Sequence, residues 1–279
     1  MRVCHRLLAA MLMALAPACV RALPQRIVST NLCTDEYLFR LVPATRIAAL
    51  SKLAGAMHPE ISNIAGRIGS IRGIRPNAEE VLNLRPDLVL LYQGVNPRLA
   101  LQLRAAGVRV FEVPWAHSLA QVRKVTRLLG RVLGVPGRAH RLLSAMARNL
   151  AAARALAPRP PVKALIYEPN AYAPSGAIID AVMGAAGLTN AAPALARSRQ
   201  GEIPLEAVIV ARPALLILNR AKDGTPSLAD AALDNPALAA LKGQTRIVRA
   251  NLRGLLCAGP WLGRTALRLA GLARATAHR

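Results

Sequence analysis

Aromatic and acidic residues are scarce in this chain of 279 residues. Aromatic residues make up 3% of it, and 14 Asp and Glu oppose 37 Lys and Arg, giving a formal net charge of +23. Such a balance ordinarily favours nucleic-acid binding. The positive charges are spread along the chain, however, and so few aromatic side chains offer little for bases to stack on. We therefore expect no nucleic-acid partner. A general bias towards Arg, or a surface suited to an anionic ligand or membrane face, would explain the charge.

The common catalytic signatures are also missing from the sequence. It contains no Gly-x-Ser-x-Gly elbow, no Gly-rich phosphate loop and no His-Glu-x-x-His motif. Ser175 and Asp180 lie close together, but the sequence suggests no partner His for them. We expect a protein that is not an enzyme and has no intrinsic cofactor. An exported α/β enzyme is the alternative.

The first residues have the three-part layout of a signal peptide. Two arginines and a histidine precede an apolar run at 7–16, and small residues follow it. This run is about half of the ~20 residues that a membrane-spanning helix needs, and no later stretch approaches that length. We predict removal of residues 1–22 and a soluble periplasmic protein. Lipid anchoring at Cys19 is the alternative, and it would suit a membrane-attached sensor or binding protein with no transport role.

Short apolar runs alternate with amphipathic stretches of helical period in both halves of the chain. The runs at 88–92 and 214–218 are almost wholly apolar, as expected of parallel strands that are buried on both faces. Helix breakers such as Arg85-Pro86 separate helices from strands. This alternation predicts the α/β class with parallel sheets.

One unit of about a dozen residues occurs in both halves. It begins at Glu79 (79–90) and again at Glu206 (206–217). Each copy has an acidic residue, an apolar helix, an Arg-Pro pair and a buried strand. The repeat predicts two similar lobes with a ligand cleft between them.

The tract between the two lobes has an extended helical period. Apolar residues recur at helical spacing through 118–157, with an interruption around 134–137. We predict a linking helix here, either continuous or as two helices in tandem, between an N-terminal lobe at 23–117 and a C-terminal lobe at 158–279. A continuous helix resists bending, so only small lobe motion is expected.

Together these stretches resemble the helical-backbone, or class III, periplasmic solute-binding proteins of ABC importers for vitamin B12, ferric siderophores and haem. The similar segments are 26–36, 83–90, the long helical tract and 185–190. The resemblance implies a monomer that captures a small-molecule metal chelate as transported ligand. It also implies delivery to an inner-membrane ABC permease with its cytoplasmic ATPase. Corrinoid binders place aromatic residues at the positions of Gly73 and Gln200, which argues against vitamin B12 itself.

In the family, each lobe offers one exposed Glu to basic residues of the permease. The matching positions here are Glu79 and Glu206, and the neighbouring Glu80 is an alternative to Glu79. Two separated carboxylates that face arginines would fix the orientation of docking.

The ligand residues are expected where strands end, because open α/β sheets bind ligands beyond the carboxyl ends of their strands. No resident metal site is expected. The candidate ligand-binding residues are Cys33, Asp35, His58, Tyr92, Trp115, Tyr167, Tyr172, Arg220, Arg253 and Trp261.

Two cysteines, Cys33 and Cys257, remain once the leader is removed. In an exported chain disulfides persist, so a bond between the lobes is one interpretation. Contact with a ligand's metal is a second, and two unrelated reduced thiols are a third. The sequence leaves these three open.

Overall fold

The strands of both lobes lie in wholly parallel sheets. The computed structural model describes residues 22–55, 61–196, 201–220, 230 and 233–278. The predicted leader up to residue 21, including Cys19, and also His58 and Gln200 lie outside the described residues. The N-terminal lobe consists of β1 (Ile27–Ser29), α1 (Leu32–Leu41), β2 (Ile47–Ser51), β3 (Gly73–Ile74), α2 (Ala78–Asn83), β4 (Leu88–Tyr92), α3 (Pro97–Ala105) and β5 (Val110–Val113).

The strand order of this lobe is β3-β2-β1-β4-β5. The chain order therefore reverses between β1 and β4, which is where open α/β sheets form ligand crevices. Helix α4 (Leu119–Val132) and helix α5 (Pro136–Leu156) follow. The C-terminal lobe consists of β6 (Val162–Tyr167), α6 (Ala177–Ala185), β7 (Leu188–Asn190), α7 (Ala192–Leu195), α8 (Leu205–Ala211), β8 (Leu215–Asn219), β9 (Arg246–Ala250) and α9 (Leu262–Ala277), with the order β7-β6-β8-β9.

The repeated unit has the same backbone geometry in both lobes. Helix α2 leads into Arg85 with φ 45°, and helix α8 ends at Arg212 with φ 41°. Positive φ is uncommon outside glycine, so its recurrence at both Arg-Pro pairs marks equivalent turns. Fully buried strands, β4 and β8, follow these turns. The two lobes are therefore related as the repeat predicts.

The tract between the lobes forms two helices rather than one. Gly134, with φ 69°, follows the end of α4, and Pro136 begins α5. A left-handed glycine terminates helices and proline at the first position starts them, so the break is encoded locally. Helix α5 has 21 residues, or about 32 Å at 1.5 Å per residue. It contacts α4, α6 and α9, and so it links the helices of the two lobes.

One apolar core covers a face of both sheets. It includes Ile27 and Leu90 of the first sheet, Ile166 of the second, and Met146 and Leu150 of α5 between them. The opposite face of each sheet has its own smaller core beneath α2 and α3 or beneath α8. The lobes thus share one helical layer. Within the described residues, no helix combines the length and apolar character of a membrane span.

Candidate ligand cleft

The carboxyl ends of the two sheets meet at a disulfide. Cys33 lies in the first turn of α1, just beyond β1, and Cys257 lies beyond the end of β9. The structure joins them in a disulfide with their Cα atoms 5.1 Å apart. Of the three interpretations of these cysteines, the structure shows the bond between lobes. The strand ends of the two lobes therefore border a common space, which is the candidate cleft.

An aromatic pair forms the wall of this cleft on the N-terminal lobe. Tyr92 ends β4 and is 5% exposed, whereas Trp115, two residues beyond β5, is 48% exposed. Their ring centroids are 4.2 Å apart, and the Trp115 Nε1–H donates to the Gln93 carbonyl at 2.7 Å. Tyr92 therefore supports the indole from behind, and Trp115 is the side chain that a ligand can reach.

A tight loop presents Tyr172 from the C-terminal lobe. The Glu168 N–H donates to the Tyr172 carbonyl at 2.7 Å, and Tyr172 also forms a bridge with Glu202. A side chain at Gly201 would come within 2.9 Å of the Tyr172 ring, so the close contact requires glycine. The Tyr172 side chain is 38% exposed. It is held as a fixed aromatic surface at the end of β6.

A polar link joins three strand ends below this loop. The Asn219 Nδ2 donates to Glu168 Oε1 at 2.5 Å, and Asn219 Oδ1 accepts the Leu252 N–H at 2.6 Å. Burial raises the pKa of the Glu168 carboxyl, although the Asn219 hydrogen bond lowers it in part. The pKa of Tyr172 is raised by burial and by the charge of Glu168. Glu168 directly follows the buried strand β6 and Asn219 ends β8, so both lie at the strand ends where ligand residues are expected.

Two predicted ligand residues prove to be interior, and these predictions are wrong. Asp35 is fully buried on the inner face of α1, where Oδ1 accepts the Ser51 N–H at 3.2 Å and Oδ2 the Ser51 hydroxyl at 2.5 Å. Tyr167 is fully buried in the core beneath α8, and its hydroxyl donates to the Ile203 carbonyl at 2.9 Å. Strand and helix periodicity turn both side chains inward.

Arg220 belongs to an ion-paired cluster. Its Nη1 lies 2.6 Å from Asp234, and its Nη2 lies 3.8 Å from Asp230. Arg249 also contacts Asp234 at 2.9 Å, and hydrogen bonds from Arg249 and Arg220 lower the pKa of that carboxyl. The charge of Arg220 is therefore already paired.

The remaining candidate ligand residues of the C-terminal lobe are Arg253 and Trp261, and they lie in different surroundings. Arg253 begins a short 3-10 helix (Arg253–Leu255) beyond β9, is partly exposed and has contacts of its own. Trp261 packs edge-on against Tyr37 at 5.1 Å and lies under the Arg40 guanidinium at 4.5 Å. It belongs to the contact between the lobes and not to the Trp115 surface. Around the described strand ends, no group of three or more His, Cys, Asp or Glu is placed to hold a metal ion.

The acidic positions of the repeat differ in how their carboxylates are used. Glu80 Oε2 accepts the Arg75 N–H at 3.1 Å, and the Glu80 N–H donates to Asn77 Oδ1 at 2.8 Å. Asn77 therefore caps α2, and the Glu80 carboxylate is engaged by the segment that precedes the helix. Glu79 and Glu206 are exposed, and their carboxylates make no hydrogen bond or ion pair with the described residues. Of the two neighbouring acids Glu79 and Glu80, Glu79 is thus the exposed and unengaged one.

The family model that describes periplasmic binding proteins matches residues 27–244. This chain belongs to that family. Its members serve transport by binding, so the chain is a binding protein and not an enzyme. The parallel lobes and the linking helix are those of the helical-backbone class predicted from the sequence.

Similar solved structures include a periplasmic haem-binding protein from Roseiflexus sp. RS-1, at 25% identity and a TM-score of 0.70, covering 91% of this chain and 99% of that one. A periplasmic haem-binding protein from Pseudomonas aeruginosa is 25% identical, with a TM-score of 0.63 and coverage of 91% and 94%. A vitamin B12-binding protein of Yersinia pestis is 33% identical over 88 residues, which are 31% of this chain. The chain matches only 30% of the length of such curated relatives.

Proposed function

We propose that this chain is the extracytoplasmic solute-binding component of an ABC importer. It captures a metal chelate of the haem, ferric-siderophore or corrinoid class between its lobes and delivers it to the membrane permease. The observation that supports this most is the placement of one rigid, exposed aromatic side chain on each lobe at the strand ends. Trp115 and Tyr172 are those side chains, at 48% and 38% exposure.

Such a pair suits a large ligand with extended apolar faces. Aromatic rings stack on planar partners, and each contact adds about 0.5–1.5 kcal/mol beyond area burial. Haem is the first choice within the class, because two similar structures at 25% identity are haem-binding proteins. Gly73, which begins β3, supplies no ring where corrinoid binders place one, which disfavours vitamin B12.

The ligand is tested by binding and by recovery of the native protein. Protein from the periplasm should show a bound chelate by native mass spectrometry and absorption, and haemin should bind stoichiometrically in titration. Its mature mass should correspond to a start at Leu23, whereas a lipidated Cys19 would contradict a soluble form. Replacing Trp115 and Tyr172 by Ala should weaken haemin binding about tenfold or more, as loss of two stacking contacts implies.

A matched control truncates two exposed apolar side chains elsewhere. Leu101 and Val210 are 66% and 80% exposed, and their Ala variants should bind haemin as the wild type does. If haemin, cyanocobalamin and a ferric hydroxamate all fail to bind, the proposed cargo class is wrong.

Docking on the permease is assigned to the acidic pair of the repeat. Replacing Glu79 and Glu206 by Gln raises the net charge by two and removes the carboxylates that would meet permease arginines. Since charge-assisted contacts are worth about 1.5–3 kcal/mol each, permease affinity should fall about tenfold or more, with ligand affinity unchanged. The control is a Gln102→Lys and Gln244→Lys double variant, which changes two exposed positions. It also raises the net charge by two and should leave uptake at the wild-type rate. Wild-type uptake by the Glu79→Gln and Glu206→Gln double variant would refute this assignment.

A further inference from the structure

A cavity lies along the seam where the lobes meet beside α5. Its volume is about 230 Å³, and Leu142, Met146 and Asn149 of α5 contribute to its lining. Neither Trp115 nor Tyr172 contributes to it, so it is separate from the aromatic surface of the cleft.

Four arginines line this cavity, two from each lobe. Arg40 and Arg67 belong to the N-terminal lobe, and Arg264 and Arg268 lie one turn apart on α9 of the C-terminal lobe. Asn63 and Thr265 also reach it. Among the described residues that line it there is no carboxylate.

The arginines are only partly neutralised by their neighbours. Arg40 pairs with Glu36, which is 2% exposed and also accepts the Asn63 N–H at 2.8 Å. Arg67 lies over the Phe39 ring at 5.2 Å, and Arg268 donates to the Asn251 carbonyl at 2.5 Å. The guanidinium groups of Arg67 and Arg264 make no hydrogen bond or ion pair with the described residues.

The electrostatics of the cavity show the resulting excess of positive charge. Burial lowers the pKa of Arg40, Glu36 opposes that effect, and repulsion from Arg67 and Arg264 lowers it further. Like charges brought this close are unfavourable unless something between them is negative. The guanidinium fork is the side chain best suited to bind carboxylate or phosphate oxygens in pairs.

We infer that the seam cavity is an anion site that takes a small oxyanion with two or more negative charges. The anion binds between Arg40 and Arg67 on one side and Arg264 and Arg268 on the other. Because each lobe supplies two of these groups, the bound anion ties the lobes together beside α5. This inference does not depend on the cargo of the cleft.

Citrate is the probe, measured by calorimetry at constant ionic strength, with acetate for comparison. Citrate should bind with a stoichiometry of one, and acetate, which carries one charge, should bind far more weakly. Replacing Arg67 and Arg264 by Gln removes one unpaired charge from each lobe and should weaken citrate binding about tenfold or more.

The control variant removes the same charge away from the cavity. Arg98 on α3 and Arg274 on α9 are exposed and do not line the seam cavity. The Arg98→Gln and Arg274→Gln double variant should therefore bind citrate as the wild type does. The Ala variants of Trp115 and Tyr172 should also keep citrate binding, which separates this site from the cleft. Equal weakening in both arginine pairs would show diffuse surface attraction, and no citrate binding to the wild type would refute the site.

Discussion

At the scale of single residues, Asp35 carries a carboxyl group that is completely buried. Complete burial raises the pKa of its carboxyl to about 7, although hydrogen bonds from Ser29 and Ser51 lower it in part. In the unfolded chain an Asp titrates near 3.9. Between about pH 4 and pH 7 the unfolded state has therefore lost the proton that the folded state keeps, so stability falls as pH rises through this window and is then constant.

Asparagine at position 35 tests this dependence. It keeps an oxygen for the Ser51 N–H and cannot ionise. Asp35→Asn should raise the free energy of unfolding at pH 8 by about 1–3 kcal/mol relative to the wild type, with a much smaller gain at pH 4. Urea unfolding at the two pH values measures it. Asp180→Asn, at an exposed position, is the control and should show no such change. An equal effect of Asp35→Asn at both pH values would show that Asp35 is ionised in the fold.

Which individual side chains reach the cleft surface is the feature of the site that the sequence predicts least well. Position after a strand correctly brought Trp115 and Tyr172 to the strand ends, but the same rule nominated Asp35 and Tyr167, which are buried. The periodicity of α1 and β6 turns both side chains inward, and the rule about strand ends takes no account of it. The unengaged state of Glu79 could be partly predicted, because the Asn77-to-Glu80 spacing is that of a capping box.

At the scale of elements, the contact between α5 and α9 holds the shared helical layer together. At Gly263 of α9, an added Cβ would lie 2.7 Å from the Met146 carbonyl oxygen and 2.9 Å from its Cα. These are backbone atoms of α5, so they cannot move aside without shifting the helix. Glycine is therefore required where the two helices cross.

Two substitutions in the same helix separate packing from helix propensity. Gly263→Ala should destabilise the protein by about 1–3 kcal/mol through overpacking. Gly271→Ala, where nothing lies within 4 Å of an added Cβ, should instead stabilise it by about 0.5–1 kcal/mol. Thermal and urea unfolding of both variants would show the opposite signs. A neutral Gly263→Ala would mean that α5 and α9 are not held this closely.

The helices and strands could largely be predicted from the sequence. The alternative that stayed open was one helix or two helices in 118–157, and local residues decide it. The periodicity of 118–157 continues across the break because both helices bury a face in the same core. Gly134 ends helix α4 and Pro136 begins helix α5, so the tract forms two helices and not one. The equivalence of Arg85 and Arg212 was visible as a repeat, while their positive φ values were not.

At the scale of the whole molecule, two lobes follow from the alternation of elements and from the repeat. The disulfide between the lobes does not follow from the sequence. Cys33 and Cys257 are 224 residues apart, and their pairing depends on how the lobes face each other. The same holds for the seam, where arginines distant in sequence converge. An intact α5 together with the disulfide favours small lobe motion, which stays a prediction.

Removing the disulfide tests how far it contributes to the union of the lobes. A Cys33→Ser and Cys257→Ser double variant frees a loop of over two hundred residues in the unfolded chain, which should lower the free energy of unfolding by about 2–5 kcal/mol. The native fold should persist, since α5 packs against α9 and Tyr37 contacts Trp261 across the seam. Circular dichroism and urea unfolding measure these effects, and reduced wild type is the matched control. Distances between spin labels on the lobes should broaden in the variant if the disulfide limits their motion. Unchanged distances would assign that restraint to α5 and the seam contacts alone.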